Sequence, residues 1–169
     1  MLGRTYDDEV CSMARALEVV GERWTLLIVR DALFAGATRF GDFQRGLGVA
    51  TNVLTARLDH LVAMQVMERR PAGERGADEY HLTDSGRDLV TSVVALTEWG
   101  DRWRSPAGPP IVYRHDGCGA RVHAETVCAT CGTVVARDVA AEPGPGMPLE
   151  YLEDKRARRA GRAAPPARR

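Results

Sequence analysis

Apolar residues recur at helical spacing over roughly the first 64 residues, give way to two short strand-like runs, and then return to helical spacing. That double switch of period confines the chain to helices interrupted by one hairpin. Val10, Met13, Ala14 and Leu17 predict a first helix over about residues 8–20, stopped at Gly21. Trp24, Leu27, Ile28 and Phe34 predict a second, ending near Ala35 and Gly36. Thr38 is read as the N-cap of a short third helix that turns Phe40, Phe43 and Leu47 inward. Thr51 is read as the cap of a fourth, with Leu54, Leu58 and Leu61 on one face. Residues 66–70 and 79–82 read as strands joined by PAGERGAD, and Thr83 as the cap of one long last helix carrying Leu89, Val93, Leu96, Gly100 and Trp103.

Helix, helix, helix, helix, hairpin, helix is the order of a winged helix with one helix added at each end. The expected fold class is therefore mainly α with a small β-hairpin, an α+β winged helix-turn-helix over residues 8–103. Residues 104–112, RSPAGPPIV, read as a stiff linker that separates this unit from the C-terminal third of the chain. Residues 113–139 hold three of the four cysteines and read as a small zinc-ribbon-like module, and residues 140–169 as a disordered basic tail. From Lys155 onward there are seven basic residues and no acid, which leaves 16 of the 23 basic residues against all 23 acids elsewhere, a formal −7. A body this acidic binds nucleic acid only through a local basic face or through the tail. The start, MLGRTYDDEV, lacks the apolar stretch of a signal peptide, and no run of 18 apolar residues occurs. The expectation is a cytoplasmic protein with no membrane partner.

The second helix of a helix-turn-helix enters the major groove with its N-terminal residues toward the base edges. With Leu54 at the centre of the buried face of the fourth helix, 100° per residue puts Asn52, Thr55, Ala56 and Asp59 on the other side. Asn pairs bidentately with adenine, and Thr donates, accepts, or touches a thymine methyl. The plain alternative is a solvated helix face. Thr51, Asn52 and Thr55 are the candidate base readers; Arg39, Arg45 and Arg57 around the helices, with Arg69, Arg70 and Arg75 on the hairpin, are the candidate phosphate contacts.

The run CSMARALEVVGERWTLLIVRDALFAGATRFGDFQRGL, then LTARLDHL, ERR, EYHLTDSGRDL and ALTEWGDRW, resembles the HxlR branch of the MarR-like winged-helix regulators over roughly residues 11–103. The resemblance implies a homodimer joined through its first and last helices, a palindromic double-stranded DNA site and, usually, repression of a nearby gene. The apolar stripe Leu89, Val93, Leu96 and Trp103 is too long for the small core alone to cover and marks the expected interface, with Leu17 and Trp99 beside it. It also implies a small-molecule or redox effector, since Cys11 aligns with an N-terminal thiol that some relatives use to sense oxidants; a buried inert thiol is the alternative. Two departures stand out. The family usually has Gly where Gln65 ends the fourth helix, and a Gln in the left-handed conformation there costs roughly 1 kcal/mol. The hairpin tip carries Glu74, Asp78 and Glu79, so it is a poor phosphate clamp beyond Arg75.

His115 and Cys118, then Cys128 and Cys131, form two pairs of x2 spacing, each followed by glycine and separated by nine residues. Such pairs let two ligands from each of two tight turns meet around a tetrahedral structural zinc. His123 is a substitute for His115, and Val122, Val127, Val134 and Val135 suit the strands of a ribbon. A redox pair of Cys128 and Cys131 is the competing reading. Four protein ligands leave no open position for catalysis, and the chain has no phosphate loop, nucleophile elbow or suggestively spaced carboxylate pair, so no enzyme is expected. Two functions remain: a dimeric DNA-binding regulator, or a winged-helix and zinc-ribbon module that binds protein. The charge around the fourth helix separates them.

Overall fold

The computed structural model describes residues 10–71, 76–148, 150, 151 and 153. Arg75, the hairpin tip and the basic tail from residue 154 lie outside the described residues. Helix α1 spans Ser12–Val20, α2 Thr25–Phe34, α3 Phe40–Leu47 and α4 Thr51–Ala63. Strands β1 (Met67–Arg70) and β2 (Glu79–Leu82) come next, then α5 (Asp84–Asp88) and α6 (Val90–Arg104). This is the mainly helical winged helix-turn-helix expected. Among the described residues no helix is long and apolar enough to cross a membrane.

The caps differ from the expected ones. Arg39, not Thr38, caps α3, and the Asp42 carboxylate accepts its N–H at 3.1 Å. Ala50 caps α4; Thr51 is already helical, and its hydroxyl accepts a hydrogen bond from the Gln44 side chain at 2.9 Å. Thr83 is a true cap, accepting from the Gly86 N–H, but it starts only one short turn. The chain breaks at Leu89 before α6 begins. Gly86 makes that turn possible: a Cβ there would lie 2.2 Å from the Val66 carbonyl oxygen and 2.9 Å from Leu82 Cδ2.

Helix α2 is the centre of the core. Ile28 and Val29 are fully buried among Phe43 of α3, Leu54, Leu58 and Leu61 of α4, Met67 and Leu82 of the hairpin, and Val93 of α6. The hairpin is antiparallel, in a register that pairs Met67 with Leu82 and Arg70 with Glu79. Helix α4 hands over to it through a Schellman turn: the Gln65 N–H donates to the Val62 carbonyl and the Val66 N–H to that of Leu61. Gln65 occupies the left-handed position of that turn at φ 57°, so the strain expected from the missing glycine is present.

The linker does not separate the C-terminal segment from the rest. Tyr113 stacks on Phe34 at the end of α2, with ring centroids 4.1 Å apart, and its hydroxyl lies 3.4 Å from that of Thr97. Glu98 of α6 accepts from the Ala124 N–H at 3.1 Å and pairs with His123 Nδ1 at 2.5 Å. Both contacts seat the segment on the winged helix. Within it, strands β3 (Val127–Cys128) and β4 (Gly132–Thr133) form a two-residue hairpin, and a single 3-10 turn comes after it at Ala136–Asp138. Of the four valines expected in ribbon strands, Val127 alone lies in a strand; Val122 adjoins an isolated bridge between Arg114 and Arg121.

Candidate nucleic-acid interface

Burial of Leu54, Leu58 and Leu61 fixes the rotation of α4 and leaves Thr51, Asn52, Thr55, Ala56 and Asp59 exposed, as the 100° rule places them. Thr55 donates its hydroxyl proton to the Thr51 carbonyl at 2.9 Å, so what it offers outward is an acceptor and a methyl group. Asn52 has no side-chain partner among the described residues, leaving both its donor and its acceptor free for a base edge. The small Ala56 beside them lets a partner approach the helix closely.

The arginines around this face are not free. Arg39 donates from Nε and Nη2 to Glu79 Oε1, both at 3.1 Å, and so ties the start of α3 to β2. Arg45 pairs with Asp42 at 2.5 Å, and Arg57 faces Glu22 at 3.9 Å. Arg69 pairs with Asp78, and Arg70 with Glu68. Each of the five described candidates thus has its own carboxylate. The surface is a mosaic of paired charge, neither the bare basic stripe of a strong phosphate binder nor an acidic patch. Glu79 is shared: a hydrogen bond from His81 at 3.0 Å, with the Arg39 guanidinium opposite, holds its carboxyl below the usual carboxylate range. The sequence marks Asp78 and Glu79 as acids on the hairpin; their pairing with specific arginines needs the hairpin register, and the partners Glu22, Asp42 and Glu68 carry no signal.

The residues expected at a dimer face divide. Val93 is only 5% exposed and belongs to the core of its own protomer, and Leu89 is half-buried against that core. The helical pattern marks both as apolar without showing which way the broken helix turns them. Leu96, Trp99 and Trp103 of α6 stay exposed, as do Leu17 and its neighbour Met13 on α1, a helix with no buried residue at all. Cys11 sits exposed within one protomer, at the N-cap position of α1.

In the C-terminal segment His115 Nδ1 lies 3.2 Å from Cys118 Sγ. The backbone N–H groups of Thr130 and then Cys131 point at the sulfur of Cys128 and pull its thiol below the usual range. Among the described residues, however, no three His, Cys, Asp or Glu side chains are grouped closely enough to hold one ion, so the two pairs stand apart. His123 Nδ1 is engaged by Glu98. The Ala124 N–H, with His123 beside it, holds the Glu98 carboxyl below the usual range.

Residues 19–107 match the HxlR-like helix-turn-helix family. The chain is 46% identical over 139 residues to an uncharacterized HTH-type transcriptional regulator, MT3179, of Mycobacterium tuberculosis (strain CDC 1551 / Oshkosh), covering 80% of this chain and 87% of that one. Its structure is similar to that of PA1607, a candidate transcription factor, with a TM-score of 0.76 and 36% identity, covering 83% of this chain and 100% of the other. It is also similar to PA1374 of Pseudomonas aeruginosa, described in the same terms, with a TM-score of 0.62 and 33% identity over 85% and 99% of the two chains. With the paired pattern of α3 and α4, the hairpin behind them and these likenesses together, the chain belongs to the HxlR-like helix-turn-helix family of transcriptional regulators.

Proposed function

We propose that the protein acts as a homodimer that reads a palindromic double-stranded DNA site through α4 and represses the gene beside it. The observation that carries this reading is the exposed N-terminal face of α4, where Asn52 is free, Thr55 presents an acceptor and a methyl, and Ala56 leaves room. The dimer is supported by Met13, Leu17, Leu96, Trp99 and Trp103, whose apolar surface is left uncovered within one protomer. Two copies joined there carry two α4 helices, and such a pair matches a two-fold symmetric site. The arginines move from carboxylate to phosphate on binding. Exposed ion pairs are worth only about 0–1 kcal/mol each, so the exchange costs little in either direction.

Selection from a random duplex pool with the purified protein tests the reading: it should return a two-fold symmetric motif. On that motif Asn52→Ala should weaken binding by about 1–3 kcal/mol and relax one base position in each half-site. Arg70→Ala should weaken binding to all sequences alike. The paired charges favour one competing reading, a module that binds protein. An unenriched pool together with a stable complex with a protein partner would establish that reading instead. A monomer mass at micromolar concentration would remove the dimer.

A further inference from the structure

The C-terminal segment poses an energetic problem independent of DNA binding. Among the described side chains of residues 113–139 none is buried, and Val127, Val135 and Val139 are more than half exposed. Two residue pairs of strand, one bridge and a single 3-10 turn are the regular structure of its described residues. Fixing each residue's backbone costs conformational entropy, and a segment without a core of its own has little apolar burial to offset that. The contacts of Tyr113, His123 and Ala124 anchor only its first half to α6 and α2. Among the described residues the turn from Thr126 to Thr133 has no such anchor, and it needs another source of order.

Its local geometry supplies one. After each candidate pair the glycine is left-handed, Gly119 at φ 69° and Gly132 at φ 80°, so both turns fold back tightly on their pair. The His115 ring lies over Gly117, where even a Cβ would come within 2.9 Å of its Cε1. That position turns Nδ1 toward Cys118 Sγ at 3.2 Å. Zinc–sulfur and zinc–nitrogen bonds of about 2.3 and 2.0–2.1 Å at a tetrahedral angle require the two ligand atoms roughly 3.5 Å apart, close to that spacing. In the second turn the pairing of Val127–Cys128 with Gly132–Thr133 closes the chain on itself, so that Cys128 and Cys131 share one tight turn. His123, committed to Glu98, is not needed.

We infer that His115 through Nδ1, Cys118, Cys128 and Cys131 are two preformed halves of one structural zinc site, and that the ion draws the two turns together and orders the segment. One imidazole and three thiolates fill a tetrahedron, so the site is closed and carries no reaction. Binding releases the thiol protons to solvent, and its free energy appears as folding of the segment.

The test uses the full chain purified without chelator. Elemental analysis should find one zinc per chain, and Co2+ put in its place should give the absorption of a tetrahedral thiolate site. Cys118→Ser and Cys128→Ser, one from each turn, should each lose stoichiometric metal. Because such variants could merely unfold the segment, His115→Cys is the decisive one: it should keep one metal per chain and shift the Co2+ spectrum toward that of four thiolates. His123→Ala should keep the metal unchanged. Protein that neither carries zinc nor takes up Co2+, or metal retained in Cys118→Ser, would overturn the site. So would a reversible Cys128–Cys131 disulfide in metal-free protein whose segment stays folded. Loss of metal in His123→Ala with retention in His115→Ala would overturn the assignment of His115.

Discussion

Replacing Gln65 by glycine should stabilise the protein, and the amount can be worked from the turn it occupies. Gln65 holds φ 57° because the Schellman turn after α4 requires a left-handed residue between the Val62 and Leu61 carbonyl contacts. That conformation costs an L-residue roughly 1–2 kcal/mol, and glycine adopts it without strain. Against this, glycine loses about 0.5–1 kcal/mol more chain entropy on folding. The hydrogen bonds at the site use the backbone: the Gln65 carbonyl accepts from Thr83 at 2.6 Å and from Ser85 at 2.9 Å. The exposed side chain contributes no hydrogen bond, so its loss removes little. At the midpoints of these ranges the net gain is about 0.7 kcal/mol, which for a domain of this size raises Tm by about 2–6 °C. Denaturant unfolding followed by tryptophan fluorescence should show a higher midpoint at unchanged slope. Gln65→Ala keeps the strain and should not stabilise; Gln65→Val, β-branched, should lose stability. A glycine variant no more stable than wild type, or an alanine variant equal to it, would refute the argument that strain at this φ is being relieved.

Gly86→Ala should lose about 2–4 kcal/mol in the same assay, since its Cβ meets the Val66 carbonyl at 2.2 Å and backbone there cannot yield cheaply. Thr25→Val should be neutral or up to about 1 kcal/mol stabilising, because the Thr25 hydroxyl is fully buried and has no hydrogen-bond partner among the described residues; a clear loss of stability would reveal a partner. Docking of the C-terminal segment should weaken in acid. A carboxyl held below its ordinary range stabilises the docked state above that range and loses the contribution as pH falls through its lowered value, so the Glu98 contact is complete at neutral pH and released below it. Hydrogen exchange at the Ala124 amide should show the release, and Glu98→Gln should abolish its pH dependence; protection that is flat from neutral to acid pH in wild type would rule it out.

The helices, the hairpin and the outward face of α4 were legible because each is set by one periodicity: Leu54, Leu58 and Leu61 alone fix where Asn52 points. The strain at Gln65 was legible because one residue type suits that turn. What periodicity does not carry is a change of direction inside a helical pattern. The helix is interrupted at Leu89, and within α6 Val93 packs inward while Leu96 does not. Pairings between distant residues were equally silent, among them Arg39 with Glu79 and His123 with Glu98, since each depends on register or docking. The prolines of residues 104–112 suggested separation, yet a stiff linker also aims a chain, and here it delivers Tyr113 onto Phe34.

The one-to-one pairing of arginines with carboxylates bears on how the protein finds its site among wrong ones. Every phosphate contact formed with random sequence releases counterions and adds affinity, and log K falls with log salt in proportion to the number of such contacts. A genome presents about 10⁶–10⁹ competing positions, so that sequence-blind affinity decides how much protein is left to search. On the proposed reading Arg45 or Arg69 must first leave Asp42 or Asp78, and with the acid left beside the phosphate a part of that affinity, small for each pair, is cancelled at every position alike. The expected signature is a salt slope on random duplex flatter than the arginine complement would give, and steeper in Asp42→Asn and Asp78→Asn. On the proposed reading the paired arginines add little sequence-blind affinity, and discrimination falls to the exposed face of α4 that carries Asn52 and Thr55.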